Sequence, residues 1–279
     1  MMSTSNLGQT GPLASMVGFG TQLVSQAGFT HLTGWPDREP SQPYAAYTDM
    51  LAPSFGTAAL IGALEYRRRT GKGQYLDLSQ LEAGLHFLAS LFLDYRMNGM
   101  EAKRDGNRSP YAAPHGAYRC RGKDRWCAIA VDSAAAWQTF KHYISTDCPW
   151  VNDPHFATLQ GRKSNEDELD KLVEAWTIEQ TAEDIMTRLQ AVGVAAGLVK
   201  NARDILEDPQ LRHRQHYRVL NHPEIGPHTY DYPPFHMSRT PAELRNAPCL
   251  GEHNEIVLKE LLGMSDEEYV ELLVSGALE

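Results

Sequence analysis

Between Phe55 and Leu64 the chain carries no charge on any face. A helix through this stretch has no side suited to water, so the sequence predicts a helix buried in a layered core. The stretch closes with Glu65-Tyr66-Arg67-Arg68-Arg69 and then Gly71. Cations in the last turn and glycine just past it form a helix stop. Leu51 to Leu64 is too short, and too interrupted by Pro53 and Gly56, to span a bilayer. The chain must therefore build its own core. Its 279 residues, 42% of them hydrophobic, suffice for one large domain or two small ones.

The flanking segments support such a core. Gln74 to Asp77 reads as a short extended piece. Ser79 and Glu82 then have capping-box spacing at the head of a second helix. Leu78, Leu81, Leu85, Leu88, Leu91 and Tyr95 give that helix one apolar face, and Asn98-Gly99 stops it. After Arg104 the character changes. Asp105 to Gly116 is a loop rich in Gly, Pro, Asn and Ser. Two strands follow, Ala117–Arg121 and Trp126–Val131, and then three helices. The first is centred on Trp137, Phe140 and Ile144, the second starts near Asn165, and the third near Thr181. Beyond Asn201 come a short helix, a hairpin around Glu224-Ile225-Gly226, and two short helices, the last capped by Ser265 with Glu268. The domains expected are 1–104, 105–200 as a small α+β domain, and 201–279 returning to the first.

Composition narrows the chemistry. A net charge of −9 and a pI near 5.7 argue against nucleic acid, which needs a basic face. Cys120, Cys127, Cys148 and Cys249 form no C-x-x-C pair, and free thiols in a reducing cytosol are expected. The residues before Pro12 have neither a basic segment nor an apolar one, so no secretory leader is read there. The histidines at 213, 216, 222, 228 and 236 lack metal-site spacing, and no metal is expected. No nucleotide-binding glycine motif occurs.

Several stretches in order resemble class III CoA-transferases, the carnitine, formyl and benzylsuccinate CoA-transferase-like group. They are Gly8-Gln9-Thr10-Gly11-Pro12-Leu13, Leu32-Thr33-Gly34-Trp35-Pro36-Asp37, Tyr47-Thr48-Asp49 and Arg69-Thr70-Gly71-Lys72-Gly73-Gln74. Near the end stand Asp208-Pro209-Gln210-Leu211, Pro234-Phe235 and Leu250-Gly251-Glu252-His253. The resemblance implies an α/β fold, part of a Rossmann-like large domain plus a small α+β domain. It implies that roughly the first quarter to third of a family chain has no counterpart here. It also implies a coenzyme A thioester as substrate with no permanently bound cofactor, a carboxylic acid as acceptor, a cytoplasmic setting, and an interlocked homodimer or a partner subunit.

The family pattern places its nucleophilic carboxylate at Asp49. A helix-start Asp is ordinary by itself, but an anion in a first turn is favoured by free N–H groups. A carboxylate can carry an acyl group in turn from donor to acceptor. Phe19, Tyr47, Asn107, Tyr111, Ala113 and His115 are the expected substrate-binding residues. In some family members a run of glycines stands near Ser109 to Ala113. Here Pro110 and Pro114 stiffen the loop. Two rival readings remain. An α-methylacyl-CoA racemase would pair the Asp with a His that falls where this chain has Phe19, and phenylalanine moves no proton. A non-catalytic chain would only pair with a full-length homologue, and would expose part of its core when alone.

Overall fold

A computed structural model describes residues 1–278. It contains two compact units, Met1–Val199 and Lys200–Glu279.

The first unit opens with β1 (Met2–Ser5), α1 (Gly20–Gln26), α2 (Phe29–Leu32) and α3 (Tyr47–Thr70). These lead to β2 (Leu76–Ser79), α4 (Gln80–Leu85) and α5 (Ala89–Asn98). β1 and β2 pair in parallel, Met2 opposite Leu76 and Ser5 opposite Ser79. Parallel neighbours need a crossover, and here the three helices provide it. α3 crosses this pair at Gly56, where a Cβ would come within 2.7 Å of Met2 Cε. Around Val24, Ala27, Phe29 and Leu88 lies a small core, which Leu51, Leu81, Leu85 and Leu91 flank.

α3 is not the buried helix expected. Thr48, Ala52 and Gly56 are buried, but Leu60, Ile61 and Leu64 of its second half are exposed. An uncharged helix needs a covering layer, and none of the described residues supplies one there. The helix stop does form, with Gly71 left-handed at φ 72° and its N–H donating to Arg67 O. The second helix is broken rather than continuous. A 3₁₀ turn at His86–Leu88 separates α4 from α5. Only half of the Ser79 box forms, with Ser79 Oγ accepting from the Glu82 N–H at 3.3 Å.

A second core follows in the same unit. β3 (His115–Arg119), β4 (Trp126–Ala130) and β5 (Ala195–Leu198) make an antiparallel sheet in that order. His115 lies opposite Ala130, and Ala130 opposite Ala195. α6 (Ala134–Ile144), α7 (Leu159–Ser164), α8 (Glu166–Thr177) and α9 (Ala182–Ala191) complete this part. Trp137, Phe140, Ile144, Leu169, Val173, Ile185 and Leu189 interlock with Ile129 and Val131 of the sheet segment. Cys120, Cys127 and Cys148 are buried free thiols, and burial pushes Cys127 up to about 12.

The second unit holds α10 (Ala202–Leu206), α11 (Pro209–His213), and the hairpin of β6 (Tyr217–His222) and β7 (Gly226–Asp231). A π-helical turn (Ile256–Leu261) precedes α12 (Asp266–Val274), which a complete Ser265–Glu268 capping box starts. Three of its six histidines pack on tyrosines: His216 on Tyr217, His228 on Tyr230 and His236 on Tyr232. Among the described residues no helix is long and apolar enough to cross a membrane.

Candidate active site

Asp49 lies in the first turn of α3, three residues after the N-cap Ala46. Its backbone N–H donates to Ala46 O at 2.9 Å. The preceding residue, Ala45, is left-handed at φ 59°, a conformation that costs a non-glycine residue about 1–2 kcal/mol. Fully buried Thr48 anchors the turn, its methyl facing Gly84 of α4, where a Cβ would lie 3.2 Å away. Pro53 has no N–H, so the usual helical bond to the Asp49 carbonyl is absent. Asp49 itself is exposed. No group among the described residues hydrogen-bonds its carboxylate.

The close neighbour of that carboxylate is Gly20, the first residue of α1. A Cβ at Gly20 would lie 2.6 Å from Asp49 Oδ2, 3.0 Å from its Cγ and 2.2 Å from Ala46 Cβ. Nothing in the sequence singled out Gly20, because its need arises only when α1 meets α3. Phe19, expected beside the carboxylate, turns its ring outward and is 81% exposed. Tyr47 turns inward and packs edge-on against Phe29 with ring centroids 5.2 Å apart.

The loop before β3 splits the other expected residues between two faces. Asn107 and His115 share a cavity of about 640 Å³ along the open face of the three-stranded sheet. Gly116, Ala117, Ala128, Ala130, Ala195, Ala196 and Gly197 give it a floor of small residues. The His115 Nδ1 lies 2.5 Å from the Asn107 carbonyl, so this nitrogen is the donor to it. Tyr111 is 78% exposed and lines a separate cavity of about 430 Å³ with Ser133, Trp137 and Arg162. Ala113 is fully buried and lines neither. Asp49 lines neither cavity as well.

This loop is tied down along its length. Arg108 reaches Asp167 and Asp170 of α8, with Glu166 at 3.6 Å. These carboxylates, Asp167 first, hold its guanidinium firmly ionised. Lys163 donates to Ser109 O at 2.9 Å, and Tyr118 O–H to Asp170 at 2.8 Å. Arg162 is buried and donates to Ala113 O at 2.6 Å and to Phe156 O at 3.2 Å. Its guanidinium lies 4.4 Å from the Trp137 ring centroid. Burial without a carboxylate partner lowers its proton affinity. Arg108, Ser109 and Ala113 of the loop are thus each tied to α7 or α8. Single-sequence reasoning missed Arg108 and Arg162, since the contacts that tie them to or from the loop join residues 49 to 62 positions apart.

Comparisons with known proteins agree with this architecture. A succinyl-CoA–D-citramalate CoA-transferase of Chloroflexus aurantiacus is 30% identical over 96% of this chain and 66% of its own length. A succinyl-CoA:glutarate CoA-transferase of Mus musculus is 27% identical over 99% of this chain and 63% of its own. The chain thus spans just under two-thirds of these relatives. The crystal structure of a CaiB/BaiF family protein from Brucella suis superposes with a TM-score of 0.81 at 28% identity, covering 93% of this chain and 67% of that one. The fold is therefore the mixed α/β class III CoA-transferase fold. A family model described as CoA-transferase family III matches residues 1–254, and the chain belongs to that family.

Proposed function

We propose that the chain carries the nucleophile of a CoA-transferase, moving CoA from an acyl-CoA donor to a carboxylic acid. The supporting observation is an exposed Asp49 carboxylate on the first turn of a long helix, in a chain of this family. An Asp49 oxygen attacks the donor's acyl carbon and CoA thiolate leaves, giving a mixed anhydride. The thiolate attacks Asp49 Cγ, releasing the donor acid and leaving an aspartyl-CoA thioester. The acceptor carboxylate then attacks Cγ and displaces the thiolate. Finally the thiolate takes the acceptor acyl group and frees the carboxylate.

Phe19 and Tyr111 face solvent, so an aromatic-lined pocket for a bulky acid has no support. The two relatives named above use succinyl-CoA by their names, and a short dicarboxylate is the acid class that we assign here. The protein acts as a homodimer or with a partner subunit. A racemase needs a proton-transferring group beside the carboxylate, and where the family's His would stand this chain has Phe19.

Hydroxylamine added during incubation with succinyl-CoA should inactivate the protein and leave a hydroxamate on the Asp49 peptide, read by mass spectrometry. Retained activity with an unmodified Asp49 peptide would refute the nucleophile assignment. A 2-methylacyl-CoA exchanging its α-hydrogen in heavy water would instead favour the racemase.

A further inference from the structure

The Asp49 carboxylate is exposed, and no hydrogen bond among the described residues holds it. On one side it meets Gly20, which has no side chain. A methyl there would come within 2.6 Å of Oδ2, far inside the contact distance of carbon and oxygen. Glycine is not needed for its torsion angles, since Gly20 is not among the residues of positive φ. It is needed for space. We propose that Gly20 is a positioning residue, whose missing side chain lets the Asp49 carboxylate rest against α1 in the orientation used for attack. This inference rests on the reading of Asp49 as the acyl-carrying group.

Glycines at helix contacts also serve plain packing, and here the two roles can be separated. A Gly20 Cβ would meet two groups, Ala46 Cβ at 2.2 Å and the Asp49 carboxylate. Ala46→Gly removes the first collision and leaves the second. Glycine is also a tolerated N-cap, so the α3 start survives the change. If Gly20 only packs, the double variant Gly20→Ala/Ala46→Gly recovers. If Gly20 places the carboxylate, the double variant stays impaired.

The experiment compares the protein with Gly20→Ala, Ala46→Gly and the double variant. Two readouts are kcat against KM for succinyl-CoA, and the rate of carbodiimide labelling of Asp49 without turnover. We expect kcat to fall about 100-fold in Gly20→Ala and in the double variant, the scale of a misplacement near 1 Å. KM for succinyl-CoA should move only a few-fold, Asp49 labelling should change several-fold, and Ala46→Gly should stay near the parent. A double variant with parental kcat and labelling would overturn the proposal, as would an unimpaired Gly20→Ala. Should the parent transfer no CoA, the nucleophile reading fails. Labelling then still decides the Gly20 claim, which falls if the rate at Asp49 is the same in all four proteins.

Discussion

Asp49→Ala is expected to lower CoA transfer by at least about 10⁴-fold, since the acyl group then has no covalent station and nothing replaces a missing nucleophile. The fold should not change. Asp49 is exposed and accepts no hydrogen bond among the described residues, and the α3 start is held by Thr48 and by the Ala46 carbonyl instead. Asp49→Asn should be as inactive as Asp49→Ala, because the amide keeps the shape but loses the nucleophilic charge. Far-ultraviolet circular dichroism and an unfolding midpoint equal to the parent's would show that the loss is chemical. Either variant turning over at the parental rate would remove Asp49 from the mechanism.

The largest stability effect is expected at Arg162. Arg162→Met keeps a flexible apolar chain over the Trp137 ring but removes the donors to the Ala113 and Phe156 carbonyls. Two effects compete. Relief of the buried guanidinium's desolvation favours the variant, while two carbonyls left without their donor disfavour it. The second wins, because hydrogen bonds from a charged donor contribute about 1.5–3 kcal/mol each. A net loss of about 3 kcal/mol is expected, visible as a lower urea midpoint. Arg162→Lys should recover only part, since an ammonium cannot reproduce the planar fork. An unchanged midpoint would mean that Arg108 and Lys163 hold the loop unaided.

How much of this was legible in the sequence depends on how local each feature is. Gly71 past a triple arginine and Ser265 three residues before Glu268 both mark helix ends that form, because a cap is decided within one turn. The hairpin at Gly226 and the strand at Trp126 were equally readable. β1 was not, since Met2–Ser5 becomes a strand only by pairing with Leu76–Ser79. β5 is Ala-Ala-Gly-Leu, which has no β-branched residue to announce it. The apolar character of α3 was correctly read, but its burial was not, because burial depends on what lies over it. At the site, the placement of Asp49 near a helix start was legible from the helix signals alone. Gly20, Arg108 and Arg162 were not, because each matters through a contact between elements distant in sequence. The outward turn of Phe19 and Tyr111 was hidden for the same reason: aromatic character does not say which way a ring turns.

The central claim is that Asp49 becomes covalently part of the transfer, and oxygen labelling tests it most directly. An acceptor acid carrying ¹⁸O in both carboxylate positions is incubated with the protein and unlabelled succinyl-CoA, and the Asp49 peptide is weighed. When the acceptor acyl group moves to sulfur, one acceptor oxygen must stay on Cγ. Heavy oxygen in the Asp49 side chain, growing with turnover and absent without donor, is the predicted result. Formation of the acceptor's CoA ester with no label at position 49 would contradict the account.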